Sequence, residues 1–115
     1  MSKRPLLIVI CLLIPAAAES QAYGPDTCKT GFVWREATPD DHVCVSPAVR
    51  AQARRDNAQA AYRVSRTDRT YGPQTCRQGY VWREATPDDR VCVAPATRDQ
   101  ARRDNEAAGS RYVNQ

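Results

Sequence analysis

Tyr23-Gly-Pro-Asp-Thr-Cys-Lys-Thr-Gly-Phe-Val-Trp-Arg-Glu-Ala-Thr-Pro-Asp-Asp-His-Val-Cys-Val45 returns as Tyr71-Gly-Pro-Gln-Thr-Cys-Arg-Gln-Gly-Tyr-Val-Trp-Arg-Glu-Ala-Thr-Pro-Asp-Asp-Arg-Val-Cys-Val93, displaced by 48 residues. The likeness runs on to Ala60 and Ala108, with 28 of 38 aligned positions identical. A repeat at fixed period means a tandem of small units rather than one large fold.

Each unit opens on Tyr-Gly-Pro-x-Thr-Cys, where glycine and proline oppose regular structure. Gly31 to Ala37 and Gly79 to Ala85 are rich in aromatic and β-branched residues and predict a strand, with Phe32, Trp34 and Glu36 on one face and Val33, Arg35 and Ala37 on the other. Thr38-Pro39-Asp40-Asp41 and Thr86-Pro87-Asp88-Asp89 are turn chemistry. A second strand is predicted at His42–Val45 and at Arg90–Val93, which makes each pair a hairpin. Pro47 and Pro95 then suit a first helical turn, Ser46 is a better N-cap than Ala94, and the alanine- and arginine-rich runs from Ala48 and Ala96 are strong helix formers. The predicted fold is α+β: two tandem disulfide-closed units, each a β-hairpin followed by a helix. The units are residues 23–60 and 71–108, with 61–70 as a polar, arginine-rich linker and 109–115 as a C-terminal tail.

Cys28 and Cys44 are 16 residues apart, as are Cys76 and Cys92. Four cysteines allow three connectivities, and duplication favours Cys28 with Cys44 and Cys76 with Cys92, since a single ancestral unit could close only on itself. A four-thiolate zinc site is the rival reading, but it normally presents close Cys-x-x-Cys pairs, which are missing here. Each unit is expected to stand alone on its cross-link and one tryptophan.

Lys3 and Arg4, the apolar run Leu6–Ile14, Pro15 and the small residues after it have the layout of a secretory signal peptide over residues 1–22, cleaved after Ala18 or, preferably, after Ala22. The apolar run is shorter than the roughly 20 residues that span a bilayer, so no transmembrane segment is expected after cleavage. Cys11 follows Val9 and Ile10, unlike a lipid-modified cysteine. The formal charge of +4 falls to +3 once Lys3, Arg4 and Glu19 are removed, with both signs interspersed. A nucleic-acid partner, which calls for a basic stripe, is not expected.

Catalytic signatures are sparse. His42 faces Arg90 across the repeat, no cysteine is left over as a nucleophile, and neither a Gly-x-Ser-x-Gly elbow nor a phosphate-cradling loop occurs. No cofactor is expected. The candidate ligand-binding residues are Tyr23, Trp34, Arg35, Tyr71, Trp82 and Arg83: aromatics that would stack on sugars or peptide side chains, and arginines that would grip anionic groups. For Trp34 and Trp82 the favoured assignment is the small core of each unit, whereas Tyr23 and Tyr71, which flank glycine-proline, are the aromatics expected at the surface.

The strings Cys-x-x-Gly-[Phe/Tyr]-Val-Trp-Arg-Glu-Ala and Asp-x-Val-Cys-Val-x-Pro-Ala-x-Arg resemble a short cysteine-paired repeat of exported bacterial proteins, found alone or beside other extracellular modules. The resemblance covers nearly all of the chain after residue 22. It implies a bacterial secreted protein and leaves the ligand open.

The sequence therefore predicts a small secreted or periplasmic, non-enzymatic binding module whose partner is an envelope polysaccharide or protein. The alternatives are a structural or stress-related envelope protein without specific ligand and, more weakly, a hydrolase using Glu36 and Glu84 or the aspartate pairs.

Overall fold

The computed structural model describes residues 23–114; the predicted signal peptide lies outside them. The chain forms two antiparallel hairpins, each followed by a helix. Strand β1 (Val33–Trp34) pairs with β2 (Cys44–Val45), and helix α1 (Pro47–Gln59) follows. Strand β3 (Val81–Trp82) pairs with β4 (Cys92–Val93), followed by α2 (Pro95–Ala107). Disulfides join Cys28 to Cys44 and Cys76 to Cys92, as duplication favours.

The strands are shorter than predicted because the backbone turns at Glu36 (φ 53°) and Glu84 (φ 55°), in the left-handed region where a two-residue alternation cannot continue. The second aspartate of each Asp-Asp pair organises the turn. Asp41 Oδ2 accepts from Ala37 N (3.0 Å) and its Oδ1 from Val43 N (3.3 Å). Asp89 does the same for Ala85 (3.0 Å) and Val91 (3.2 Å). Ser46 Oγ accepts from Val49 N (3.3 Å) and caps α1, whereas Ala94 has no side-chain acceptor for α2.

Neither helix carries an apolar stripe of large residues, so each is held by polar side chains facing inward. Asn57 Nδ2 donates to Ala37 O (3.0 Å) and Asn105 Nδ2 to Ala85 O (3.0 Å), which ties each helix to its own hairpin. The buried apolar residues are small: Ala37, Ala53, Ala85, Ala101, Val45, Val93 and the disulfide cysteines Cys44 and Cys92. Trp34 and Trp82 are only half-buried. The expectation that each tryptophan centres its own unit is therefore corrected.

The units are interlocked. Each sends the segment after its helix onto the disulfide loop of the other. Arg77 N donates to Arg63 O (2.8 Å) and Ser65 N to Thr75 O (2.8 Å), so Val64 bridges to Cys76. Reciprocally, Lys29 N donates to Arg111 O (2.8 Å) and Val113 N to Thr27 O (2.8 Å), so Tyr112 bridges to Cys28. Arg63 Nη1 spans the junction from Asp56 Oδ1 (2.9 Å) to Cys92 O (3.1 Å), and Arg111 Nη1 from Asp104 Oδ1 (3.0 Å) to Cys44 O (2.9 Å). Residues 63–65 thus belong to the second unit's packing, and 111–113 complete the first. The contacts are isologous, like those of a two-fold dimer whose protomers are joined in one chain.

Candidate functional site

Tyr-Gly-Pro-x-Thr is a built turn. Gly24 (φ 75°) and Gly72 (φ 98°) supply the left-handed backbone, Thr27 Oγ1 donates to Gly24 O (2.7 Å) and Thr75 Oγ1 to Gly72 O (2.8 Å). The same hydroxyls accept from the backbone N–H of Tyr23 (3.1 Å) and Tyr71 (2.9 Å). The tyrosine rings are thereby held outward, 66% exposed at Tyr23 and 72% at Tyr71. Each meets its tryptophan edge to face, at 5.4 Å for Tyr23 and Trp34 and 6.2 Å for Tyr71 and Trp82. The indoles are pinned by Trp34 Nε1 donating to Asp26 O (2.8 Å) and Trp82 Nε1 to Gln74 O (2.9 Å). Their hydrogen-bonding edges are thus spent.

Each aromatic pair lines a shallow cleft. The first, of about 410 Å3, includes Tyr23, Lys29, Phe32, Trp34, Glu36 and Arg50. The second, of about 350 Å3, includes Asp68, Tyr71, Tyr80, Trp82 and Arg98. Arg50 Nη2 pairs with Glu36 at 2.7 Å and Arg98 Nη2 with Glu84 at 3.3 Å. An apolar wall of rings beside a partly exposed ion pair suits a ligand with an apolar face and polar groups around its rim, which is the chemistry of a sugar ring.

Arg35 and Arg83 belong elsewhere. The sequence places them beside the aromatics as surface grips, but each is only 2% exposed. Arg35 makes a two-pronged contact with Asp41 (Nε to Oδ2 2.6 Å, Nη2 to Oδ1 3.0 Å), and Arg83 the same with Asp89 (2.6 and 3.1 Å). Each also donates across the units, Arg35 Nη2 to Ala85 O (3.3 Å) and Nη1 to Ala101 O (3.5 Å), and Arg83 Nη2 to Ala37 O (3.5 Å), while Arg83 Nη1 is buried without a partner among the described residues. The fork fits a carboxylate already fixed by the turn, and burial is tolerated because the charge is paired. Both arginines lie at the groove between α1 and α2 and not in the aromatic clefts. Burial pushes the Asp89 carboxyl up, but hydrogen bonds and charge from Arg83, with the N–H groups of Ala85 and Val91, bring it below the ordinary carboxylate value. That is opposite to the raised value a general acid needs.

The remaining candidate carboxylates are dispersed. Glu36 and Glu84 face arginines, Asp41 and Asp89 are locked into the turns, and among the described residues no group of three or more His, Cys, Asp or Glu side chains could hold a metal ion. No helix among the described residues is long and apolar enough to cross a membrane.

The sequence reading missed His42 and Arg90, which back the indoles. His42 stacks on Trp34 with centroids 3.7 Å apart, and its Nδ1 is 3.0 Å from Asp26 Oδ2. Arg90 places its guanidinium 4.2 Å from the Trp82 centroid. The signal available was the paired exchange of Asp26/His42 for Gln74/Arg90. Comparison of the chain with protein-family models, curated proteins and solved structures finds no match.

Proposed function

We propose that this chain is an exported, non-enzymatic binding module that holds a polymeric glycan of the cell envelope through two aromatic clefts. The observation that carries this reading is the duplication of an outward-held tyrosine beside a pinned tryptophan, Tyr23 with Trp34 and Tyr71 with Trp82. Export is supported by the secretory layout of residues 1–22 and by the two disulfides, which persist in oxidising compartments. The resemblance to cysteine-paired repeats of exported bacterial proteins points the same way. A binding role, rather than hydrolysis, is supported by carboxylates that are ion-paired and apart.

Two clefts on one chain raise affinity for a polymer that engages both, by up to 10²–10⁴ over a single weak site. The test uses Tyr23→Ala and Tyr71→Ala, which remove exposed rings without touching buried contacts. Each single variant is expected to lose about 10²-fold in retention on an insoluble envelope polysaccharide, while a short oligosaccharide binds one site instead of two at unchanged affinity. Retention of the polymer by both variants at the wild-type level would reject the clefts and favour a structural role without ligand.

A further inference from the structure

The two clefts differ in charge, and the difference sits on their walls. In the first cleft Lys29, exposed, lines the wall with its ammonium in no hydrogen bond or ion pair among the described residues, and Arg50 Nε, buried, lacks an acceptor among them. The residue matching Lys29 in the second copy is Arg77, whose Nε donates instead to Val64 O (3.3 Å) on the crossing segment and which does not line the second cleft. That cleft has Asp68 in its wall. Thr70 donates to Asp68 Oδ1 from both its hydroxyl (2.6 Å) and its N–H (2.9 Å), which favours the ionised form and holds it below the ordinary carboxylate value. Among the described residues the first cleft therefore presents Lys29 and the Glu36–Arg50 pair, and the second presents Asp68 with Arg98, itself paired to Glu84. A carboxylate entering the first cleft meets an unshared cation; entering the second, it meets a fixed anion.

We infer that the first cleft takes a carboxylate-bearing sugar, a uronate or similar acid, and the second takes an uncharged sugar, so that the preferred polymer is an acidic glycan containing both kinds of unit. This rests on the cleft reading above and adds Lys29 and Asp68 as the residues that set specificity. The aromatic walls favour a glycan over an acidic polypeptide, which would engage Lys29 without needing the rings. Charge-assisted contacts of this kind also weaken with salt, since both cleft cations are near the surface.

The experiment measures binding of the full chain to a polyuronate, to a neutral polysaccharide of similar length and to polyglutamate. Lys29→Glu is expected to weaken polyuronate binding about tenfold, the loss expected for one charge-assisted contact. The same change leaves the neutral polysaccharide within about twofold, inside the scatter of surface substitutions. Asp68→Lys is expected to tighten polyuronate binding several-fold. An unchanged ratio of acidic to neutral binding in Lys29→Glu overturns the charge assignment while leaving the clefts standing, provided Tyr23→Ala and Tyr71→Ala still weaken both glycans. If those tyrosine variants bind both glycans as the wild type does, the cleft reading itself fails. Polyglutamate binding that matches polyuronate and survives Tyr23→Ala would replace the glycan by an acidic peptide and overturn the inference.

Discussion

The walls around Trp34 and Trp82 have diverged while the arginines that tie the two units together have not. A histidine lies flat on one indole and an arginine covers the other; Asp26 becomes Gln74, Lys29 becomes Arg77, Thr30 becomes Gln78 and Phe32 becomes Tyr80. Between Tyr23 and Val45 every difference between the copies is therefore at a cleft or behind it. The arginines that reach from one unit to the other are the same in both, Arg35 with Arg83 and Arg63 with Arg111, while the residues at the bridges differ, Tyr112 with its hydroxyl on His42 O (2.8 Å) standing where the other copy has Val64. The buried arginine–aspartate solution is used twice. The clefts are free to differ, as surfaces that meet different chemical groups would.

That contrast is most easily broken at the buried arginines. Arg35→Ala and Arg83→Ala each leave an aspartate buried without its cation, and each is expected to cost about 3–5 kcal/mol in urea unfolding. The two losses should match, because each guanidinium also serves the opposite unit. A large loss from one and a small loss from the other would mean that the units are unequal in their scaffold as well. The Arg83–Asp89 contact also governs acid sensitivity. A carboxyl held below its unfolded value contributes stability that is present above the ordinary aspartate range and is lost as pH falls through the folded value. Lowering the pH from 5 to 2 should therefore reduce the urea midpoint, and Asp89→Asn should flatten that decline.

Replacing one cysteine pair by serine, Cys28 with Cys44 or Cys76 with Cys92, is expected to cost roughly 3 kcal/mol on the chain-entropy account for a loop of this length. Because each disulfide loop is one side of the junction, either loss should lower a single transition seen at both tryptophans. Two separate transitions, followed in variants that keep only Trp34 or only Trp82, would show the units to be independent.

The smallest effect lies at the helix starts. Ser46→Ala should cost about 1 kcal/mol and Ala94→Ser should return about as much, because only α1 has a side-chain cap. Chemical denaturation of the two variants would show opposite shifts. Shifts of the same sign would mean that the Ala94 site cannot accept the cap geometry that Ser46 adopts.

The repeat, the hairpins, the helices and the cysteine pairing were legible because each has a local signature: fixed spacing, turn residues, a proline at the first helical position. Arg35 and Arg83 were misplaced because strand alternation says which face a side chain takes but not which face is covered. What covers them is a fixed carboxylate six residues on and a backbone carbonyl of the other unit. The exchange of segments has no such local signature, because it rests on single-residue bridges at Val64 and Tyr112, too short to leave an alternating pattern. One clue extended past the aligned repeat: Arg63 and Arg111 keep the 48-residue offset beyond Ala60 and Ala108. The aromatic clefts were half legible. Tyrosine and tryptophan could be named, but their meeting depends on the threonine hydroxyl that folds Tyr-Gly-Pro-x-Thr back on itself.

The pairing of Arg111–Val113 with Thr27–Lys29 also sets an order of assembly. Contacts this distant along the chain form late, since loop closure must precede any gain from them. A chain emerging from its N-terminus makes the first disulfide loop long before the segment that covers it, whereas the second loop follows directly on Arg63–Ser65. The second unit is therefore covered as soon as it is made. The first waits with an open strand edge, the kind that pairs with a neighbouring chain if the wait is long. Arg111–Val113 thus act as a latch on Thr27–Lys29, and their docking is the step that closes the first unit.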